Sequence, residues 1–142
     1  MTDRLKEKIA LITGGSSGIG QAAAQLFSRE GAKVVIADIN VEGGEETVRR
    51  IIDEGGEAQF VKTDVSKSDE VEALIKKIIE MYSWLDCAYN NAGIVGDIVS
   101  LVDHTEENWN HVLEGLHRKN DLSRNRARDL QSNQLKAYRY PP

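Results

Sequence analysis

Gly14, Gly18 and Gly20, set in the run Thr13-Gly14-Gly15-Ser16-Ser17-Gly18-Ile19-Gly20, are the residues here whose type and spacing best suit a chemical task. They follow the apolar run Ile9-Ala10-Leu11-Ile12, which reads as a strand, and they open a stretch of helical periodicity. Glycines at such a turn let backbone N–H groups come close to a pyrophosphate, and the helix N-terminus behind them adds partial positive charge. A dinucleotide is the ligand this arrangement suits. The plainer alternative, a tight turn without a ligand, is disfavoured by the strand and helix on either side. A P-loop is excluded, because Gln21 stands where a lysine followed by a hydroxyl residue would be required.

Asp38 comes 18 residues after Gly20, at the end of a second apolar run, Lys33–Ile39. A carboxylate there accepts hydrogen bonds from the adenosine ribose hydroxyls and repels a 2′-phosphate. No Arg or Lys occupies Ser16, Ser17 or Ile39, where a phosphate clamp could sit, so NAD is expected over NADP. The three histidines, His104, His111 and His117, match no metal spacing, and Cys87 is the only cysteine, so no metal site is expected.

These residues need a scaffold, and the chain alternates strand and helix up to about residue 114. Lys8–Thr13 reads as the first strand. The helix after the glycines brings Ile19, Ala22, Ala23, Leu26 and Phe27 to one face, with Gly31 placed to stop it. A second helix over Glu45–Glu54 shows Val48, Ile51 and Ile52, and Gly55-Gly56 ends it. Glu57–Lys62 reads as a third strand leading to Thr63-Asp64-Val65. Ser66 is placed to cap the next helix, with Asp69 three residues on, and Val71, Leu74, Ile75, Ile78 and Ile79 form its stripe. Leu85–Tyr89 reads as a fourth strand running into Asn90-Asn91-Ala92-Gly93. A last helix begins after Thr105, with Trp109, Val112, Leu113 and Leu116 on one face. Repeated βα units imply an α/β fold with a parallel sheet and right-handed crossovers.

Taken together, Thr13-Gly14-xxx-Gly18-Ile19-Gly20, Asp38, Asp64-Val65 and Asn90-Asn91-Ala92-Gly93 resemble the short-chain dehydrogenase/reductase family from about Leu5 to Glu114. The resemblance implies the first part of a doubly wound Rossmann fold, with strand order 3-2-1-4 flanked by helices. It also implies an oxidoreductase that moves hydride between a nicotinamide and an alcohol or carbonyl. The cofactor-binding positions carried over are Gly14, Ser16, Ser17, Gly18, Ile19, Gly20, Asp38, Ile39, Asp64, Val65, Asn91, Ala92 and Gly93. Asp64 and Val65 would meet the adenine, and Asn91 to Gly93 would support the sheet beside the cofactor.

The family's catalytic set is a Ser, a Tyr, a Lys four residues after that Tyr, and an Asn. Tyr82 leads to Asp86, Tyr89 to Gly93 and Tyr138 to Pro142 at that spacing, and Tyr140 has no residue there. Leu116 stands where the Asn is expected, with Asn110 and Asn120 out of register. No catalytic residue is assigned, and little turnover is expected. The alternative reading is a non-catalytic module that senses NAD or binds a partner.

Composition changes where the resemblance stops. Of 18 basic and 23 acidic side chains, 7 and 2 fall in residues 115–142, leaving 11 and 21 in residues 1–114, or net charges of +5 and −10. Residues 1–114 hold 23 Val plus Ile and residues 115–142 none. Two parts are therefore expected: a dinucleotide-binding unit over 1–116 and a basic, irregular or weakly helical tail over 117–142. A shifted reading frame, an altered splice junction or an early stop after unrelated sequence would each leave such a tail. The strand Leu85–Tyr89 would then be an open edge, suited to self-association or to pairing with a full-length relative. The basic stretch Arg118–Arg128 lacks interleaved aromatics, so nucleic acid is not an expected partner. No run approaches the roughly 20 apolar residues that span a bilayer. With the lone cysteine, this makes a cytoplasmic location the expectation.

Overall fold

The computed structural model describes residues 3–93, 105–108 and 110–111. Strands β1 (Ile9–Thr13), β2 (Lys33–Asp38), β3 (Glu57–Lys62) and β4 (Cys87–Asn90) alternate with helices α1 (Gly18–Arg29), α2 (Val41–Asp53) and α3 (Ser68–Tyr82). All pairings are parallel and the spatial order is β3-β2-β1-β4, as the sequence resemblance implies. Every residue of β1 is buried, as expected of a β-branched apolar strand covered on both faces.

The chain moves outward from β1 to β3, then returns to place β4 on the far side of β1. Right-handed crossovers therefore put α1 and α2 on one face of the sheet and α3 on the other. The two cores follow the strand alternation. Ala10, Ile12, Val34, Ile36 and Ala58 face α1 and α2, where Ala24 and Ile51 meet them. Ile9, Leu11, Val35 and Ala37 face α3, packing against Leu74, Ile75, Ile78 and Ile79. Each Val, Leu or Ile among them contributes about 1.5–3 kcal/mol on burial, and the expected α3 stripe is buried throughout, Val71 included.

Several local expectations are corrected. The α1 face is not the one its large apolar residues suggest. Gly20 is buried against the glycine turn and Ala24 against the sheet while Ile19, Ala22 and Leu26 are exposed, because small residues let the helix approach closely. Ile52 is likewise exposed, and Gly44, Thr47 and Ile51 are the buried positions of α2. That helix starts four residues earlier than expected. Asn40 caps it by accepting the Gly43 N–H at 3.1 Å, and Gly44 lets it settle on Phe60, where a Cβ would come within 2.1 Å of the ring. Ser66 does not cap α3, whose N-cap is Lys67. Instead the Asp64 carboxylate accepts both the N–H and the hydroxyl of Ser66, at 3.0 and 2.7 Å, in an Asx-type turn. β1 starts at Ile9 rather than Lys8, β2 ends at Asp38 rather than Ile39, and β4 runs from Cys87 to Asn90 rather than from Leu85 to Tyr89.

Gly31 and Gly55 do end their helices. Gly31 N–H bonds Ser28 and Ala32 N–H bonds Phe27, and Gly55 and Gly56 repeat the pattern with Ile52 and Ile51. Thr105 Oγ1 accepts the Asn108 N–H at 3.1 Å, and residues 106–108 and 110–111 are helical, as expected of a helix starting after Thr105. Trp109, Val112, Leu113, Leu116 and the tail over 117–142 lie outside the described residues. Among those that are described, β4 is an edge strand, with Tyr89 exposed.

Candidate functional site at the carboxyl ends of the strands

Sheet order reverses between β1 and β4, and in open α/β sheets a crevice opens at the carboxyl ends of the strands flanking that reversal. The loop from Gly14 to Ser17 lies there. Gly14 has a left-handed φ of +70°, and a Cβ on it would come 2.8 Å from Ala92 Cα. A Cβ on Gly20 would come 2.1 Å from the Gly14 carbonyl oxygen and 2.6 Å from Asn91 Nδ2. Here glycine is required by backbone-to-backbone contact. A Cβ on Gly18 would meet nothing within 4 Å among the described residues, so on that side they leave the loop open. Ser17 is the N-cap of α1, yet its side chain makes no capping bond, and no acidic residue sits in the first turn. The positive end of α1 is therefore not neutralised from within the helix.

The segment after β4 fastens this loop from one side. Asn91 Nδ2 donates to the carbonyls of Thr13 and Gly14, both at 3.3 Å. Ala92 N–H donates to Thr13 Oγ1 at 3.1 Å, while Gly93 is exposed. From the other side, the Asp38 carboxylate at the end of β2 accepts Ser16 N–H at 3.2 Å through Oδ2 and Asn40 N–H at 3.0 Å through Oδ1. Two backbone amides thus orient a carboxylate beside the glycine turn, leaving lone pairs for further donors. Ile19 and Ile39 stand 73% and 63% exposed, apolar surfaces on α1 and just past Asp38.

Asp64 and Val65 are half-buried beyond β3, joined to Asp38 through the Thr63 N–H, which donates to the Asp38 carbonyl at 3.0 Å. The Ser66 hydroxyl holds the Asp64 carboxyl below the usual carboxylate range; partial burial opposes the shift, and the Ser66 amide and Lys67 reinforce it. Asp64 N–H in turn donates to Glu70 Oε2 at 2.6 Å. Ser16, expected to face a cofactor, is buried beneath the start of α2, where a Cβ on Gly43 would come 2.9 Å from its Cβ and its carbonyl oxygen.

Three participants carry no motif signal: Thr47, Gln21 and Gly43. The fully buried Thr47 hydroxyl donates toward the Gly15 carbonyl at 2.9 Å and the Gly43 carbonyl at 3.0 Å, and accepts from Gln21 Nε2 at 2.9 Å. A threonine inside a polar helix is an ordinary sight in sequence; only the close approach of α2 to the loop gives it a role.

A cleft of about 470 Å³ opens at the opposite, amino-terminal edge of the strands, lined by Lys33, Tyr82, Trp84 and Asp86 among others. Two of its charges, Lys33 and Asp86, are paired with near neighbours. Lys33 meets Glu57 at 3.3 Å, and Asp86 takes Lys8 at 3.2 Å, Trp84 Nε1 at 3.0 Å and the Ile9 N–H at 2.8 Å. Burial first, then Glu57, pushes the Tyr82 phenol up to about 12, so it stays protonated near neutral pH. Among the described residues no three His, Cys, Asp or Glu side chains gather as metal ligands, and no helix is long and apolar enough to cross a membrane.

Comparison with known proteins agrees with this geometry. The family described as short chain dehydrogenase matches residues 8–115. A 3beta-hydroxysteroid dehydrogenase of Mediterraneibacter gnavus is 43% identical over 111 residues, covering 78% of this chain and 40% of its own length. A short chain dehydrogenase/reductase of Burkholderia phymatum, solved in complex with NAD, superposes with a TM-score of 0.78 at 31% identity, over 84% of this chain and 42% of that one. A metagenomic short-chain oxidoreductase, solved with NADP, superposes with a TM-score of 0.82 at 27% identity, over 94% of this chain and 58% of its own. The chain thus spans about two fifths of the length of the curated relatives it matches. By sheet order, glycine loop and family match alike, the chain belongs to the short-chain dehydrogenase/reductase family.

Proposed function

We propose that this chain binds the adenylate end of NAD in the crevice between the glycine loop and the carboxyl ends of β1, β2 and β3. The observation that carries this reading is the Asp38 carboxylate, oriented by the amides of Ser16 and Asn40 beside a turn whose helix end is uncapped. The open space at Gly18 suits a pyrophosphate, and Asp38 suits the ribose hydroxyls. Ile19, Ile39, Asp64 and Val65 line the approach, with Ser17 and Gly20 in the turn and Asn91, Ala92 and Gly93 closing the side toward β4. NAD is preferred over NADP because an acid at Asp38 repels a 2′-phosphate.

When bound, a nicotinamide dinucleotide supplies hydride transfer, which in this family joins alcohol and carbonyl. The chain's own share is to hold that cofactor. Its sequence contains no Tyr followed four residues later by Lys, so the isolated chain is expected to turn over no alcohol. A second reading is a non-catalytic module that senses NAD or pairs along β4 with a copy of itself or a full-length relative. It is supported by the edge position of β4 and the exposure of Tyr89. A cytoplasmic setting suits a family cofactor of the cell interior and the single cysteine, Cys87.

Thermal melting with NAD tests the binding. At a free concentration 100 times its Kd, NAD adds about 2.7 kcal/mol to stability, which for a domain of this size raises Tm by roughly 10 °C. No shift at millimolar NAD refutes the reading. An equal shift with NADP refutes the part assigned to Asp38, and brisk alcohol oxidation by the pure chain refutes the expected inactivity.

A further inference from the structure

We infer that Thr47, on α2 and outside every recognised motif, is a positioning residue that sets the dinucleotide loop; the inference rests on the NAD-binding reading above. A threonine within a helix usually returns its hydroxyl to the carbonyl four residues back, and Thr47 does reach Gly43 at 3.0 Å. It also stands 2.9 Å from the Gly15 carbonyl, 32 residues away in sequence. Gln21 of α1 donates to Thr47 Oγ1 at 2.9 Å, so the single hydroxyl proton is confined to the two carbonyls.

The Gly15 carbonyl and the Ser16 N–H belong to one peptide unit. Thr47 holds its oxygen and Asp38 holds its N–H, at 2.9 and 3.2 Å. Rotation of that plane breaks both bonds together. Its orientation also decides where the following amides, from Ser17 into the first turn of α1, are aimed. Gly43 makes the reach possible, since a Cβ there would strike Ser16. One buried hydroxyl therefore joins α1, α2, the loop and the ribose-facing acid into a single unit.

The test compares wild type, Thr47→Val, Thr47→Ser and Gln21→Leu by calorimetric titration with NAD and by amide hydrogen exchange at Ser16. Valine keeps the shape and removes the hydroxyl, leaving a buried carbonyl without its donor, so NAD affinity falls about tenfold and Ser16 exchange accelerates. Serine restores the hydroxyl and binds within about threefold of wild type. Leucine at Gln21 frees the hydroxyl to turn away from Gly15 and costs roughly threefold. A Thr47→Val protein that folds and binds NAD as wild type does overturns the inference and leaves the NAD reading standing. Failure of wild type to bind NAD overturns both. Should Thr47→Val not fold, Gln21→Leu decides: unchanged affinity and unchanged Ser16 exchange overturn the inference, and losses in both sustain it.

Discussion

Replacing Gly20 with alanine sets two physical effects against each other, and the structure says which wins. Alanine in a helix interior is favoured over glycine by roughly 0.5–1 kcal/mol. Were Gly20 in a roomy part of α1, the substitution would stabilise the protein. Its added Cβ, however, would lie 2.1 Å from the Gly14 carbonyl oxygen and 2.7 Å from the Gly14 carbonyl carbon, against an ordinary contact of 3.4–4 Å. Those neighbours are backbone and cannot rotate aside. Relief requires lifting the loop off α1, which also detaches Asn91 from the Gly14 carbonyl. Overpacking of this kind costs typically about 1–3 kcal/mol, and contact with backbone puts it at the upper end. After the propensity gain, a net loss of about 2 kcal/mol remains, or roughly 7–8 °C in Tm. Urea unfolding followed by far-ultraviolet circular dichroism measures it. A Gly20→Ala protein as stable as wild type, or more stable, would refute the close seating of α1 on the loop.

Two further outcomes follow from the packing and the charges. Ile75→Ala, at a fully buried position of α3, should lower unfolding free energy by about 2–5 kcal/mol through lost burial and the cavity left behind; a change under about 1 kcal/mol in the same urea titration would contradict the packing of α3 on the sheet. Asp64 is held below its ordinary value in the folded chain, so its stabilisation is present above the unfolded value near 3.8 and fades as pH falls through the lower folded one. Ser66→Ala removes the main cause. The variant should be less stable than wild type near neutral pH, with the gap closing in strong acid; a gap independent of pH counts against it.

The strands and the glycine turn were legible because their signals are local. Ile9–Ile12 and Val34–Ala37 are apolar without interruption, and the spacing of Gly14, Gly18 and Gly20 states a backbone need directly. What escaped is decided by distance between elements. Ile19 and Leu26 outrank Gly20 and Ala24 in hydrophobicity, yet the small pair is the one buried, against the glycine turn and the sheet, because there closeness of approach governs the packing. The start of α2 ahead of Gly43-Gly44, rather than at Glu45, depends on Ser16 and Phe60 lying against that pair. Ser66 with Asp69 matches a capping box, but Asp64, two residues earlier, takes the Ser66 hydroxyl first. Thr47 shows the limit most clearly, since its bond to Gly15 joins residues 32 apart, which no window along the chain contains.

Asp86 has a consequence for the far end of the sheet. By gathering Lys8, Trp84 and the Ile9 amide at the start of β1 and β4, it pins how those two strands slide past one another. A slip of one residue would turn Cys87 and Tyr89 to the opposite faces. It would also carry the Ala92 amide away from Thr13. The spacing of the crevice is thus gauged about five residues away, so a surface carboxylate remote from any ligand helps determine whether the mouth of the site keeps its shape.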